Sequence, residues 1–113
     1  MIIRKAQMDA MSDYVFDSFV RRMLVHLRAK CQERTAAISD AELDKFVRAG
    51  VGRAHSFNVR SEPNLVTFLE FAAQYGLDYY TTTQFTGALG ALEDGELNET
   101  EKMNRVNEYL IFR

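Results

Sequence analysis

The sequence predicts an all-α fold, a compact bundle of about five helices with a long N-terminal helix, in a single domain over residues 1–113. Three observations lead there. Apolar residues between Ser39 and Gly76 recur at helical intervals in two stripes, Leu43, Phe46, Val47, Gly50, Val51 and Ala54, then Leu65, Phe68, Leu69 and Ala72. One proline and six glycines leave little room for loops. The β-forming run Asp78-Tyr-Tyr-Thr-Thr-Thr is short and has no partner strand elsewhere.

The first helix is expected from Arg4–Gln7 to about Lys30–Gln32, since no Pro or Gly interrupts that span. Phe16, Val20, Met23, Leu24, Leu27 and Cys31 share one face, widened by Met8, Met11, Val15 and Phe19. About 26 residues would reach roughly 39 Å, so the N-terminal turns would project beyond the body. The alternative is a break at Ser12–Asp13, a good N-cap pair.

Residues 32–38 form the first connection. Ser39 caps the second helix, Glu42 completes a capping box, and Ile38 sits where a hydrophobic staple begins. Gly50 lies in the apolar stripe, which predicts a closely approaching neighbour; with Gly52 it makes no phosphate loop, because no strand precedes it. Asn58 suits a left-handed residue closing this helix. The third helix starts at Ser61, carries Pro63 in its first turn and ends at Gly76. Val66 and Phe71 lie off its stripe, so it is apolar most of the way round, the pattern of a central helix. A loop from Asp78 then leads into a short helix from Thr83 to Leu92, with Phe85, Leu89 and Leu92 on one side. After a turn at 93–96, Asn98 and Glu101 cap the last helix, whose stripe is Met103, Val106 and Leu110 with Tyr109 alongside. Glu101 and Arg105 are placed to pair on its surface.

Cys31 is the lone cysteine, which excludes an internal disulfide and suits a reducing cytoplasm. The N-terminus turns polar too soon for a secretory segment, and no run approaches the roughly 18 apolar residues of a membrane span. A cytoplasmic protein with no membrane contact is expected. The net charge of −2 hides an asymmetry: residues 1–60 carry 11 Lys and Arg against 7 Asp and Glu, residues 61–113 carry 3 against 9. Contacts between the halves would neutralise both.

No reaction constellation emerges. His26 and His55 have no second ligand at a metal-binding spacing, and zinc would need four clustered ligands. Nothing near Cys31 is positioned to lower its pKa, so it reads as a buried hydrophobe. Asp9, Asp13 and Asp17 line one helix edge without the Glu-x-x-His companions of a bundle metal site, and Asp17 has Arg21 four residues on. A DNA-reading role fails because Asn64 to Tyr75 holds no Lys or Arg and carries Glu70. The expectation is therefore a non-enzyme with no catalytic residues, metal, cofactor or nucleic acid. Tyr79, Tyr80 and Phe85 have two readings: rings folded over the core, or an adaptable patch contacting a partner protein. They are the candidate partner-contact residues. Exposed Met and Phe on a projecting first helix add the expectation of a homo-oligomer.

Five segments carry a resemblance: Ile3-Arg-Lys-Ala-Gln-Met8, Phe19-Val-Arg-Arg-Met-Leu-Val-His-Leu-Arg28, Phe46-Val-Arg-Ala-Gly-Val-Gly-Arg-Ala-His55, Phe68-Leu-Glu-Phe71 and Glu101-Lys-Met-Asn-Arg-Val-Asn-Glu-Tyr109. Together they resemble small helical accessory proteins encoded in bacterial type VI secretion effector clusters, beside PAAR-tip, effector or immunity genes. The resemblance implies a cytoplasmic co-chaperone or adaptor for an effector, its partner being the effector, the effector's chaperone or a secretion-tip protein. The alternative it implies is an immunity protein that binds and neutralises a toxin effector. It brings no catalytic residues. The segment 79–85 departs from the family pattern.

Overall fold

A computed structural model describes residues 13–111, without the side chains of Gln84, Leu110 and Ile111. The expected start of the first helix, Met8 and Met11 in its stripe, Asp9 of the acidic edge, Ser12 of the alternative break and the Leu110 side chain fall outside what is described.

The chain forms α1 (Asp13–Lys30), α2 (Gln32–Thr35), α3 (Asp40–Ser56) and α4 (Glu62–Tyr75), then 3-10 turns at Tyr79–Thr81 and Thr83–Phe85, then α5 (Ala88–Glu93) and α6 (Glu99–Ile111). No strand occurs among the described residues. α4 is central, as its all-round apolarity predicts: it packs on α1, α2, α3, α6 and the first 3-10 turn. Two expectations are corrected. The connection 32–38 contains the one-turn helix α2, and the short helix expected from Thr83 begins only at Ala88, because 79–85 coils as two 3-10 turns.

Local chemistry sets the boundaries. α1 ends where Cys31 leaves helical geometry (φ −121°, ψ 53°), and Arg28 bridges the bend, donating to the carbonyls of Thr35 and Ile38 at 2.7 Å each and to Asp40 at 2.7 Å. Ser39 Oγ accepts from the Glu42 amide at 3.1 Å, satisfying one free donor at the start of α3. A Cβ on Gly50 would collide with Leu69 Cδ2, so glycine is what lets α4 approach α3 so closely. Asn58 takes φ +63°. The amides of Asn58 and Val59 then donate to the carbonyls of His55 and Ala54, both at 2.9 Å, which closes α3 in a Schellman motif.

The turn that follows is gripped from α6. Glu99 Oε1 accepts from the backbone amides of Arg60 and Ser61, both at 2.8 Å, ahead of α4. One turn along the same helix, Lys102 is buried and its Nζ donates to the Phe57 carbonyl at 2.7 Å. Burial pushes the Glu99 carboxyl up, but the amide hydrogen bonds from Ser61 and Arg60 outweigh it and hold the group below its ordinary range. Asn98 and Glu101 form the reciprocal capping box at the start of α6, at 2.8 and 2.9 Å. Glu101 thus bonds backward, and no Glu101–Arg105 ion pair is seen among the described residues.

The core joins Phe19, Val20, Met23 and Leu27 of α1 to Leu43, Val47 and Val51 of α3, Leu65, Phe68 and Leu69 of α4, and Met103 and Val106 of α6. Each such fully buried side chain contributes about 1.5–3 kcal/mol. The basic and acidic halves meet through Arg22–Glu62 (3.1 Å), His26–Glu70 (2.5 Å) and Arg53–Asp78. Asp17 does not take Arg21, four residues on; it accepts from Arg48 of α3 at 2.9 Å, whose guanidinium also lies 5.2 Å from the Phe16 ring centre.

Candidate functional site

Tyr79, Tyr80 and Phe85, the residues expected to touch a partner, are 0 %, 8 % and 0 % exposed. In this fold they form core rather than contact surface. The reason is aromatic packing: Tyr79 lies 5.4 Å from Phe68, 5.6 Å from Phe71, 5.3 Å from Tyr80 and 5.2 Å from Phe85, mostly edge to face. The 3-10 coiling turns all three rings inward. Tyr80 keeps one polar tie, accepting from Arg53 Nη1 at 3.1 Å. The Tyr79 hydroxyl is buried without a hydrogen-bond partner, and burial raises its pKa far beyond any working pH.

Phe85 and Tyr75 pack at 5.2 Å, so this cluster backs the surface formed by the last turn of α4. That surface carries two adjoining hollows. One hollow of about 550 Å³ lies between the Cys31 bend and the end of α4, lined among others by Lys30, Cys31, Glu33, Arg34, Gln74 and Tyr75. A second, of about 500 Å³, lies between α2, α3 and the end of α4, lined by Phe46, Ala73, Gly76 and Thr82, and again by Arg34, Gln74 and Tyr75. The shared residues make them one open groove with Arg34 at its waist. Both volumes fall in the range of known ligand sites.

The groove has a defined chemistry. Phe46, Ala73 and the Tyr75 ring give it apolar walls, and Gln74 offers both a donor and an acceptor. Lys30 and Arg34 are exposed, have no ion-pair partner among the described residues and outnumber the one acid of the lining, Glu33, so the net charge of the groove favours an anionic group. Gly76 (φ +106°) ends α4 by donating to the Ala72 carbonyl at 2.8 Å, which sets where the wall stops.

Reactive groups are not gathered there. Burial pushes the Cys31 thiol up, a hydrogen bond with Gln74 pulls it down, nearby Glu70 raises it and Lys30 lowers it, and the net direction is upward. A raised thiol is a poor nucleophile. His26 Nε2 bonds Glu70 Oε2, so the carboxylate missing beside it in sequence arrives from α4. Among the described residues no three His, Cys, Asp or Glu side chains are arranged to hold a metal ion, and no helix is long and apolar enough to cross a membrane.

Sequence reasoning found the rings behind the groove and missed its lining. Arg34 lies in what reads as a connection, Gln74 lies off the α4 stripe, and Tyr75 continues that stripe to its end. Only the folded contact between the Cys31 bend and the end of α4 unites them. Comparison with protein-family models, with curated proteins and with solved structures finds no match to this chain.

Proposed function

We propose that the chain is a non-enzymatic protein-interaction module that receives a segment of a partner protein in the groove around Arg34. One observation carries this: two open hollows meeting at a cation with no ion-pair partner among the described residues, walled by Phe46 and Tyr75. Such a surface suits a chain segment bearing an acidic residue next to an aromatic or aliphatic one, since the apolar walls supply affinity and the cations set register. Joined to the residue resemblance, the partner is a type VI secretion effector, its chaperone or a secretion-tip protein. The role is then that of a cytoplasmic co-chaperone or adaptor.

The test is capture of the products of neighbouring genes by the wild-type chain and by Arg34→Glu. Capture by the first and its loss in the second, with the helical circular dichroism unchanged, supports the reading. Failure to capture any of those products removes it. Toxin expression separates the alternative: a chain that rescues cells making the toxin alone acts as an immunity protein, whereas a co-chaperone alters toxin stability or export without neutralising it.

A further inference from the structure

α1 carries an outward stripe that no other described element covers. Tyr14 is 77 % exposed and Val25 73 %. They lie 11 residues apart, hence about 20° apart around the helix, with Ser18 and Arg21 between them on the same face. Exposed apolar side chains standing singly are ordinary, and these two lie about 16.5 Å apart along the axis; what singles the face out is the symmetry of their placement with the charges around them.

The order of residues on this stripe says what fits it. Tyr14 and Val25 are equidistant from a point midway between Ser18 and Arg21. A second α1 laid antiparallel across that point therefore sets Tyr14 of each copy against Val25 of the other, and Ser18 against Arg21. The charges follow the same symmetry, with Asp13 and Asp17 in the N-terminal half and Arg21 and Arg28 in the C-terminal half. Antiparallel packing brings Asp17 within about 1.5 Å along the axis of Arg21 in the second copy, and Asp13 within about 3 Å of Arg28. Asp17 already meets Arg48, and Arg28 meets Asp40, whereas Asp13 and Arg21 have no ion-pair partner among the described residues. Parallel packing would instead set acid on acid and base on base. A patch complementary to itself is what a two-fold dimer requires.

We propose that the chain forms a homodimer through antiparallel packing of the two α1 helices, independent of the Arg34 groove. With only two large apolar side chains per copy in the patch, the dimer dissociates on dilution.

Sedimentation velocity over a wide range of protein concentration tests it. The expected result is a dimer fraction that rises with concentration and falls with added salt. Val25→Glu, at a position outside the core, shifts the population to monomer, and Arg21→Glu does the same by facing Asp17 with a like charge. Orientation is read by oxidative cross-linking. Tyr14→Cys mixed with Val25→Cys links across the two chains, while neither variant links to itself, because like positions lie about 16.5 Å apart along the axis and a disulfide spans under about 7 Å between Cα atoms. The native Cys31 is buried and stays out of the reaction. Self-linked Tyr14→Cys, a dimer indifferent to Val25→Glu, or a chain monomeric at every concentration would each overturn the proposal. If the monomer also shields a cysteine at position 25 from thiol reagents until residues 1–12 are removed, the face belongs to those residues instead.

Discussion

Replacing Tyr79 with phenylalanine should make the protein more stable. The Tyr79 ring is 0 % exposed among Phe68, Phe71, Tyr80 and Phe85, and its hydroxyl has no hydrogen-bond partner. Leaving a buried hydroxyl unsatisfied costs about 1–3 kcal/mol, and Tyr79→Phe removes that cost while keeping the ring and its edge-to-face contacts. The space left by one oxygen costs back about 0.3 kcal/mol at the usual penalty per unit of cavity volume. The net gain is about 1–2 kcal/mol, which for a chain of this size raises Tm by roughly 4–8 °C. The protein has no tryptophan, so urea unfolding is best followed by the helical circular dichroism signal, with wild type and variant compared at equal slope. A loss of 1 kcal/mol or more would refute the reasoning, because it would mean that the hydroxyl holds a bridging water that the ring cage retains.

Three further outcomes follow from the same contacts. Glu99→Gln should lower stability at neutral pH by about 1–2 kcal/mol, less than two full charge-assisted bonds because the carboxylate is partly solvated. Since the folded-state pKa of Glu99 is lowered, its contribution is present above the ordinary carboxylate pKa and lost as pH falls through the folded value, so the wild-type and variant unfolding curves should converge in acid. Gly52→Ala should stabilise by up to about 1 kcal/mol, because a methyl there meets nothing within 4 Å, whereas Gly50→Ala should forfeit that gain by striking Leu69; equal Tm shifts for the two would contradict the packing described between α3 and α4. Gly87→Ala should cost about 1–3 kcal/mol in chemical denaturation, since Gly87 holds φ +97° and an added Cβ would lie 2.9 Å from the Tyr109 ring.

What the sequence made legible is what short-range chemistry decides. Ser39, Asn58, Gly76 and Asn98 each act on backbone groups within a few residues, so the ends of α3 and α4 and the start of α6 could be placed from composition and spacing. Gly50 was legible because it interrupts an apolar stripe where a side chain should be. The segment 79–85 was not, because its aromatic and threonine residues suit several backbone forms and the surrounding rings choose among them. The two readings of its rings, folded over the core or facing a partner, could not be separated for the same reason: an aromatic residue looks alike in sequence whether it faces solvent or Phe68. The groove was hidden more deeply, since Arg34 and Gln74 are brought together by tertiary packing alone. The His26–Glu70 and Glu99–Arg60 contacts were equally unreadable, each joining residues far apart in the chain.

The two-handed hold of α6 on the turn between α3 and α4 has a consequence for how the molecule is made. An acid and a base three residues apart grasp opposite ends of one short segment, the acid on its amides and the base on a carbonyl. Those two side chains leave the ribosome some forty residues after the backbone groups they secure. The helical pair can close early on its own local signals, yet its hinge is latched only when the final helix arrives. Stalled or shortened chains ending before Glu99 should therefore show that turn as the first amides to exchange with solvent.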